Sequence, residues 1–258
     1  MPFWDPSYRC FTFNQEDMVP TIEESIALLC LEIPNSNKVF WKKIKRVSFI
    51  KKMSQIMVMD MTTISQVKTM KGKNECIPWE FLKKFLAKCE DKQQIFTVFA
   101  IVVYGMVIFP KVLNHSEVDV VDLVEQVEHQ ANLVPAIVAE TICSLNFYRR
   151  KGGSQFIGCV QLLYVWIRSH FWVMYTKSLE HFIDTSVPLK EFAKKTWSIH
   201  QLREQWVAAL QTLDTNKVTW KAPWFSRRLA LYGCEDKLWV SFVRLWGVVS
   251  YASLLVLR

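Results

Sequence analysis

The stretch from Gln93 to Pro110 reads QQIFTVFAIVVYGMVIFP and decides the fold class of this chain. It carries no charge over its 18 residues, and a lysine flanks it on each side. A helix that is apolar on every side is buried, either in lipid or inside a large domain. A membrane span needs about 20 apolar residues, whereas this stretch contains two glutamines and Thr97 and stops at Pro110. We therefore expect a buried core helix over residues 93–108. The many β-branched residues leave a β-strand as the alternative.

Helix signals continue on both sides of this stretch. Thr21 and Glu24 have the spacing of a capping box, and apolar residues follow them at helical spacing. Ser116 is placed to cap a helix that reaches about residue 130. Pro135 opens a helix through residue 150, which Gly152 can close. The pattern predicts a mainly α fold, a single compact multi-helix domain with buried apolar helices and few or short strands.

The composition limits the classes of protein to which the chain can belong. Hydrophobic residues make up 51% of its 258 residues, which excludes a disordered or low-complexity chain. It contains 7 glycines and neither a GxGxxG nor a Walker A motif, so we expect no nucleotide-binding loop. The 7 cysteines form no CxxC pair. This disfavours disulfides and structural zinc and fits the nucleus or the cytoplasm.

Residues that could support catalysis are scattered in the sequence. No GxSxG motif occurs, and Cys143 and Cys159 lie in apolar stretches where a buried structural thiol is expected. Asp122, Glu125 and His129 share one helix face and could hold a cation, but a solvated acidic stripe is the favoured interpretation. We predict no enzyme, cofactor, metal or small-molecule substrate. An enzyme of unrecognised type and a membrane-associated helical protein remain the alternatives.

A basic segment gives the clearest indication of binding. The formal net charge is +8, and residues 38–52 contain seven cations and no acid. Apolar residues at helical spacing within it predict a helix with one packed and one cationic face. Such a face could contact nucleic acid or another anionic partner, a membrane surface or a calmodulin-like groove, although a solvated face without a ligand is favoured. The candidate contact residues are Lys42, Lys43, Lys45, Arg46, Lys51 and Lys52. A second basic run, residues 149–151, could extend the patch and equally suits a helix C-terminus.

Four stretches together resemble a known family. They are Phe11–Phe13 with Asp17–Glu24 and Ala27–Leu29, then Phe99–Pro110, then Ile157–Trp166 with Phe171, and finally Leu255–Arg258. Their order and spacing are similar to motifs of the plant mobile domain. The resemblance implies a helical domain found in plant retrotransposons, in Mutator-like transposons and in host genes derived from them. Some host members of that family act in the nucleus in silencing and genome maintenance with phosphatase-like partners, and the family has no established catalytic residues.

These observations define our expectation for the chain. We expect residues 1–258 to form one domain similar to the plant mobile domain, truncated after Arg258. We expect a non-enzymatic interaction domain of transposon origin, nuclear or cytoplasmic, that binds a protein partner. Nucleic acid is the second expected class of partner, and a membrane partner is not expected.

Overall fold

A computed structural model describes residues 2–14, 16–29, 48–152, 155–170, 203–213, 218 and 240–251. Helix is their main regular structure, as predicted. Nine α-helices occur in these ranges: α1 (Ile22–Leu28), α2 (Phe49–Met57), α3 (Met61–Val67), α4 (Trp79–Leu86), α5 (Lys92–Val103), α6 (Val118–Glu128), α7 (Val134–Lys151), α8 (Val160–His170) and α9 (Arg203–Gln211). Among the residues described, no helix has both the length and the apolar character needed to cross a membrane.

Short strands accompany the helices, so the fold is mainly α without being purely α. They form three small antiparallel sheets in the described part of the chain. The first is β1 (Trp4–Asp5), β2 (Cys10–Phe13) and β3 (Glu16–Met18), the second is β4 (Thr69–Lys71), β5 (Asn74–Pro78) and β6 (His115–Glu117), and the third is the hairpin of β7 (Val240–Arg244) and β8 (Gly247–Tyr251). The prediction of a helical fold with short strands is confirmed.

Three helix ends follow directly from local chemistry. The backbone N–H of Glu24 donates to Thr21 Oγ1 at 3.0 Å, and the N–H of Thr21 donates to Glu24 Oε2 at 3.0 Å, which completes the predicted capping box. Pro135 lies in the first turn of α7, where its missing N–H is not needed. Gly152 ends α7 with a φ of +70°, a conformation that glycine adopts without steric cost.

The predicted start of α6 is wrong. Ser116 does not cap the helix but lies in β6, opposite Ile77 of β5. Its hydroxyl donates to the carbonyl of Ile101 at 3.2 Å, so it is not available to the N–H groups of α6. Pairing with β5 keeps the chain extended through Glu117, and α6 begins at Val118. The strand partner, which is distant in sequence, overrides the local capping signal.

One hydrophobic cluster connects the sheets and helices. Its largest fully buried side chains include Trp4, Phe13, Phe49, Phe109 and Trp166. They come from the first sheet, from α2, from the chain after α5 and from α8, so elements far apart in sequence contribute to the same core. α7 contacts α1 on one side and both β1 and the β7–β8 hairpin on another. This central helix therefore positions the surface features described below.

Candidate interaction site

The predicted cationic surface lies only partly within the described residues, and Lys52 does not belong to it. Lys51 is exposed on α2, whereas Lys52 is only 6% exposed. Lys52 Nζ donates to Asp122 Oδ1 at 2.6 Å and to Glu125 Oε2 at 2.5 Å. The remaining predicted contact residues lie outside the described part of the chain: Lys42, Lys43, Lys45 and Arg46. The assignment of Lys52 to a solvent-facing contact surface is thus corrected.

The burial of Lys52 has a cause that helical spacing could have indicated. Phe49, Met53 and Met57 are the buried apolar residues of α2, and Lys52 follows Phe49 by three positions, on the same face. Burial disfavours the charged ammonium, but the hydrogen bonds and charges of Asp122 and Glu125 outweigh it and raise the pKa of Lys52. The lysine is therefore a charged link between α2 and α6.

Of the three residues considered as a cation site, Asp122 and Glu125 converge on the ammonium of Lys52, and the His129 ring contacts a backbone carbonyl instead. Asp122 is buried and engages Lys52, so a fully solvated acidic stripe is also wrong for this residue. His129 Nδ1 lies 2.7 Å from the backbone carbonyl of Glu125 rather than from its carboxylate. Within the described ranges, no three His, Cys, Asp or Glu side chains are grouped so as to hold a metal ion.

Burial keeps four thiols protonated, including those of Cys143 and Cys159, the two cysteines considered above as nucleophiles. Burial raises the pKa of Cys10 to about 12 and that of Cys76 to about 11. Burial also raises the pKa of Cys159 and of Cys143, although Arg244 Nη1 lies 2.8 Å from Cys143 Sγ and opposes the shift. At neutral pH these side chains act as small apolar groups.

Two carboxylates, the half-buried Glu24 and the buried Glu140, join distant elements. Glu24 of α1 accepts hydrogen bonds from Trp166 Nε1 at 2.9 Å and lies 3.0 Å from Nε2 of His170, both in α8. Burial opposes its ionisation, but His170 and the other donors prevail and lower the pKa of Glu24. Glu140 of α7 accepts from Arg244 Nη1 at 3.0 Å, which ties the β7–β8 hairpin to α7. Both carboxylates therefore have a structural role, which is to connect elements of the fold.

A cavity beneath α1, α7 and α8 also lacks reactive groups. Its lining is apolar apart from Ser25 and Thr141, and its one titratable side chain is the protonated thiol of Cys159. General acid–base chemistry needs a group that can exchange a proton near neutral pH. The cavity therefore gives no basis for a catalytic site.

A row of exposed apolar side chains runs along α5. Phe96 is 69% exposed, Phe99 is 55% exposed, and the exposed Val107 follows on the π-helical turn that continues α5. With the half-buried Val103 they occur at positions i, i+3, i+7 and i+11, which places them on one side of the helix. We call these four residues the α5 stripe.

The opposite side of α5 is the face that packs into the core. It presents Val98, Ile101 and Val102, all buried. The predicted helix is thus confirmed and the strand alternative is excluded, but burial on every side is wrong. α5 contacts α2, α4 and α6, and these neighbours leave the stripe uncovered in the described structure. Hydrophobicity alone could not show which face would be left open.

The α5 stripe stands on a well-anchored helix. The carboxylate of Asp91 accepts a hydrogen bond from the N–H of Gln94 at 2.8 Å and caps the helix. Thr97 Oγ1 donates to Glu128 Oε1 of α6 at 2.5 Å. At about 200 Å² for each Phe side chain, the exposed fractions leave about 250 Å² of aromatic surface. With the valines, this approaches the ~300–600 Å² of patches that are often functional.

Comparison with known proteins shows the family of the chain. No curated protein matches the chain, and no solved structure matches it. A family model described as a domain of unknown function, DUF7745, matches residues 1–258. Because the match covers the full length of the sequence, the chain belongs to the DUF7745 family.

Proposed function

We propose that this chain is a non-enzymatic interaction domain of transposon origin that binds a protein partner in the nucleus through the α5 stripe. The observation that carries the proposal is the exposure of Phe96 and Phe99 on a helix whose other face is packed into the core. Transposon origin, nuclear location and a single compact domain of the plant mobile domain type are supported by the motifs that resemble that family. The protonated thiols and paired carboxylates support a role without catalysis.

The shape of the stripe favours one amphipathic helix of a partner. From Phe96 to Val107 it extends over 12 residues, or about 16 Å of helix, which corresponds to three turns. A helix that docks through its apolar face places anchors at the same i, i+3, i+7 spacing. A stable dimer face buries about 800 Å² on each partner, much more than the stripe offers. A single docked helix therefore fits the available surface better than a second whole domain.

The size of the stripe also sets the expected strength of binding. Burying about 250 Å² of aromatic surface at about 25 cal/mol per Å² contributes about 6 kcal/mol. Association costs at least about 4 kcal/mol in lost freedom of motion. Contacts around the two rings must supply the rest, so we expect a reversible complex in which both phenylalanines are hot spots.

Removal of the two rings tests this function. Phe96→Gln with Phe99→Gln keeps good helix formers on α5 while deleting the aromatic surface. The tagged wild-type chain, expressed in plant cells, should retain a defined co-purifying protein that this double variant loses. The control is Met70→Gln with Leu113→Gln, which removes exposed apolar side chains of similar exposure elsewhere. Equal retention by all three proteins, or retention by none, would refute the proposal.

The origin and the location have tests of their own. A neighbouring polymerase or transposase gene is expected at the genomic locus. A fluorescently tagged chain should accumulate in the nucleus of plant cells. An isolated locus without transposon genes would contradict the origin, and exclusion of the tagged chain from the nucleus would contradict the location.

A further inference from the structure

Two aromatic side chains are exposed near the contact of β1 with α7. Tyr8 in the turn is 61% exposed, and Phe147 on α7 is 51% exposed. β1 contacts α7 directly, and Trp4 Nε1 donates to Asn146 Oδ1 at 2.8 Å, one residue before Phe147. The two rings therefore belong to one region of the surface, which is far in sequence from the α5 stripe.

Cations from separate elements lie in the same region. The charge of Arg9 acts on both Cys143 and Arg150, which are two turns or about 10 Å apart along α7. Arg9 therefore lies near this part of α7. Burial, and then the positive charge of Arg150, lower the pKa of Arg9. Arg149 and Lys151 are exposed beside Arg150 and add two further charges.

The turn that carries Tyr8 and Arg9 is held in place by its own hydrogen bonds. Asp5 Oδ1 accepts from the N–H of Ser7 at 2.6 Å and from that of Tyr8 at 3.2 Å. The N–H of Arg9 donates to the carbonyl of Asp5 at 2.8 Å, and Arg9 has a φ of +57°. A non-glycine residue in this left-handed conformation is uncommon. The turn thus presents the exposed ring of Tyr8 in a fixed arrangement, with the half-buried Arg9 next to it.

We infer that this region, the Arg9 face (Tyr8, Arg9, Phe147, Arg149, Arg150 and Lys151), binds single-stranded nucleic acid. Proteins that bind single strands combine cations, which contact the phosphates, with exposed aromatic rings on which bases stack. Cations in the last turn of α7 would also stabilise that helix end, but this does not explain the two exposed rings. A duplex or an acidic protein would use the charges without the rings.

Fluorescence anisotropy with labelled oligonucleotides tests the inference. Single-stranded DNA and RNA of about 20 nucleotides and one sequence, and the matching DNA duplex, are titrated with the full chain at about 50 and 200 mM salt. We expect the single strands to bind more tightly than the duplex, with affinity that falls as salt rises. The preference between DNA and RNA identifies the natural class of strand. Absence of binding to both strands at low salt would overturn the inference.

Variants separate stacking from charge. Tyr8→Ala and Phe147→Ala should each weaken binding at least about five-fold, because one stacked base is lost. Arg149→Gln with Arg150→Gln should reduce the salt slope by about 1.4, or 0.7 for each phosphate contact. The matched control, Lys83→Gln with Lys84→Gln on α4, removes the same charge from exposed positions and should leave the affinity unchanged.

Three results would contradict the Arg9 face. Unchanged affinity of the alanine variants, with circular dichroism showing them folded, would mean that the two rings do not bind bases. The face would then be a cationic surface suited to duplexes or acidic proteins. Equal weakening by the α4 control would show that net charge alone is responsible. Tighter binding to anionic vesicles than to single strands would assign the face to membranes. Phe96→Gln with Phe99→Gln should not affect any of these measurements, so the two surfaces are tested separately.

Discussion

Replacement of Lys52 by methionine tests the charged link between α2 and α6. Methionine retains much of the side-chain length, but the carboxylates of Asp122 and Glu125 then lose their common cation. Removing one partner of a buried ion pair costs about 3–5 kcal/mol. The side chain of Glu125 is 34% exposed, so water relieves part of this cost. We therefore expect Lys52→Met to lower the free energy of unfolding by about 3 kcal/mol.

Urea unfolding followed by tryptophan fluorescence measures this loss. The control is Lys51→Met, which makes the same change in charge at the neighbouring, exposed position of α2. It should change the free energy of unfolding by less than about 0.5 kcal/mol. Adding Asp122→Asn to Lys52→Met should restore part of the stability, because it removes the repulsion between the two carboxylates. Equal losses for Lys52→Met and Lys51→Met would refute the buried link.

Two further substitutions test other contacts of the core. Glu24→Gln should lower the free energy of unfolding by about 1–3 kcal/mol at neutral pH, because an NH2 group replaces one of the two carboxylate oxygens that face the Thr21, Trp166 and His170 nitrogens. His170 helps lower the pKa of Glu24 in the folded protein. The ionised Glu24 therefore stabilises the fold above its ordinary pKa of 4.5, and this stabilisation is lost as pH falls through the lower pKa of the folded state. The difference in urea midpoint between variant and wild type should therefore shrink in acid, and a constant difference would contradict the ionised contact. Gly158→Ala should cost about 1–3 kcal/mol, because a Cβ there would lie 2.9 Å from Thr141 Cα. An unchanged urea midpoint would show that the backbone of α7 moves enough to accommodate the added methyl group.

Local signals were sufficient for parts of the fold. The capping box of Thr21 and Glu24 and the positions of Pro135 and Gly152 concern groups within a few residues of each other, and the structure has α1 and α7 where these signals predicted them. Ser116 shows the limit of this reasoning, because its pairing with β5 depends on a segment about 40 residues away. Local chemistry predicts a helix end only where no distant strand competes for the same backbone.

The surfaces were harder to predict than the elements. The sequence indicated the helix over residues 93–108, but which side of it meets the core is decided by α2, α4 and α6. Lys52 was grouped with its basic neighbours, whereas its partner Asp122 is 70 residues away. The Arg9 face depends on the contact of β1 with α7, which no local spacing indicates. Only the run at residues 149–151 was visible as a charge pattern.

The exposure of the α5 stripe to a partner is tested most directly by photo-crosslinking. A photoreactive phenylalanine analogue is placed at position 99 of the chain expressed in plant cells, and the same analogue at position 113 serves as the control. We predict a discrete protein adduct from position 99 that disappears when Phe96→Gln is added. No adduct from position 99, or the same adducts from both positions, would contradict a partner bound to the stripe.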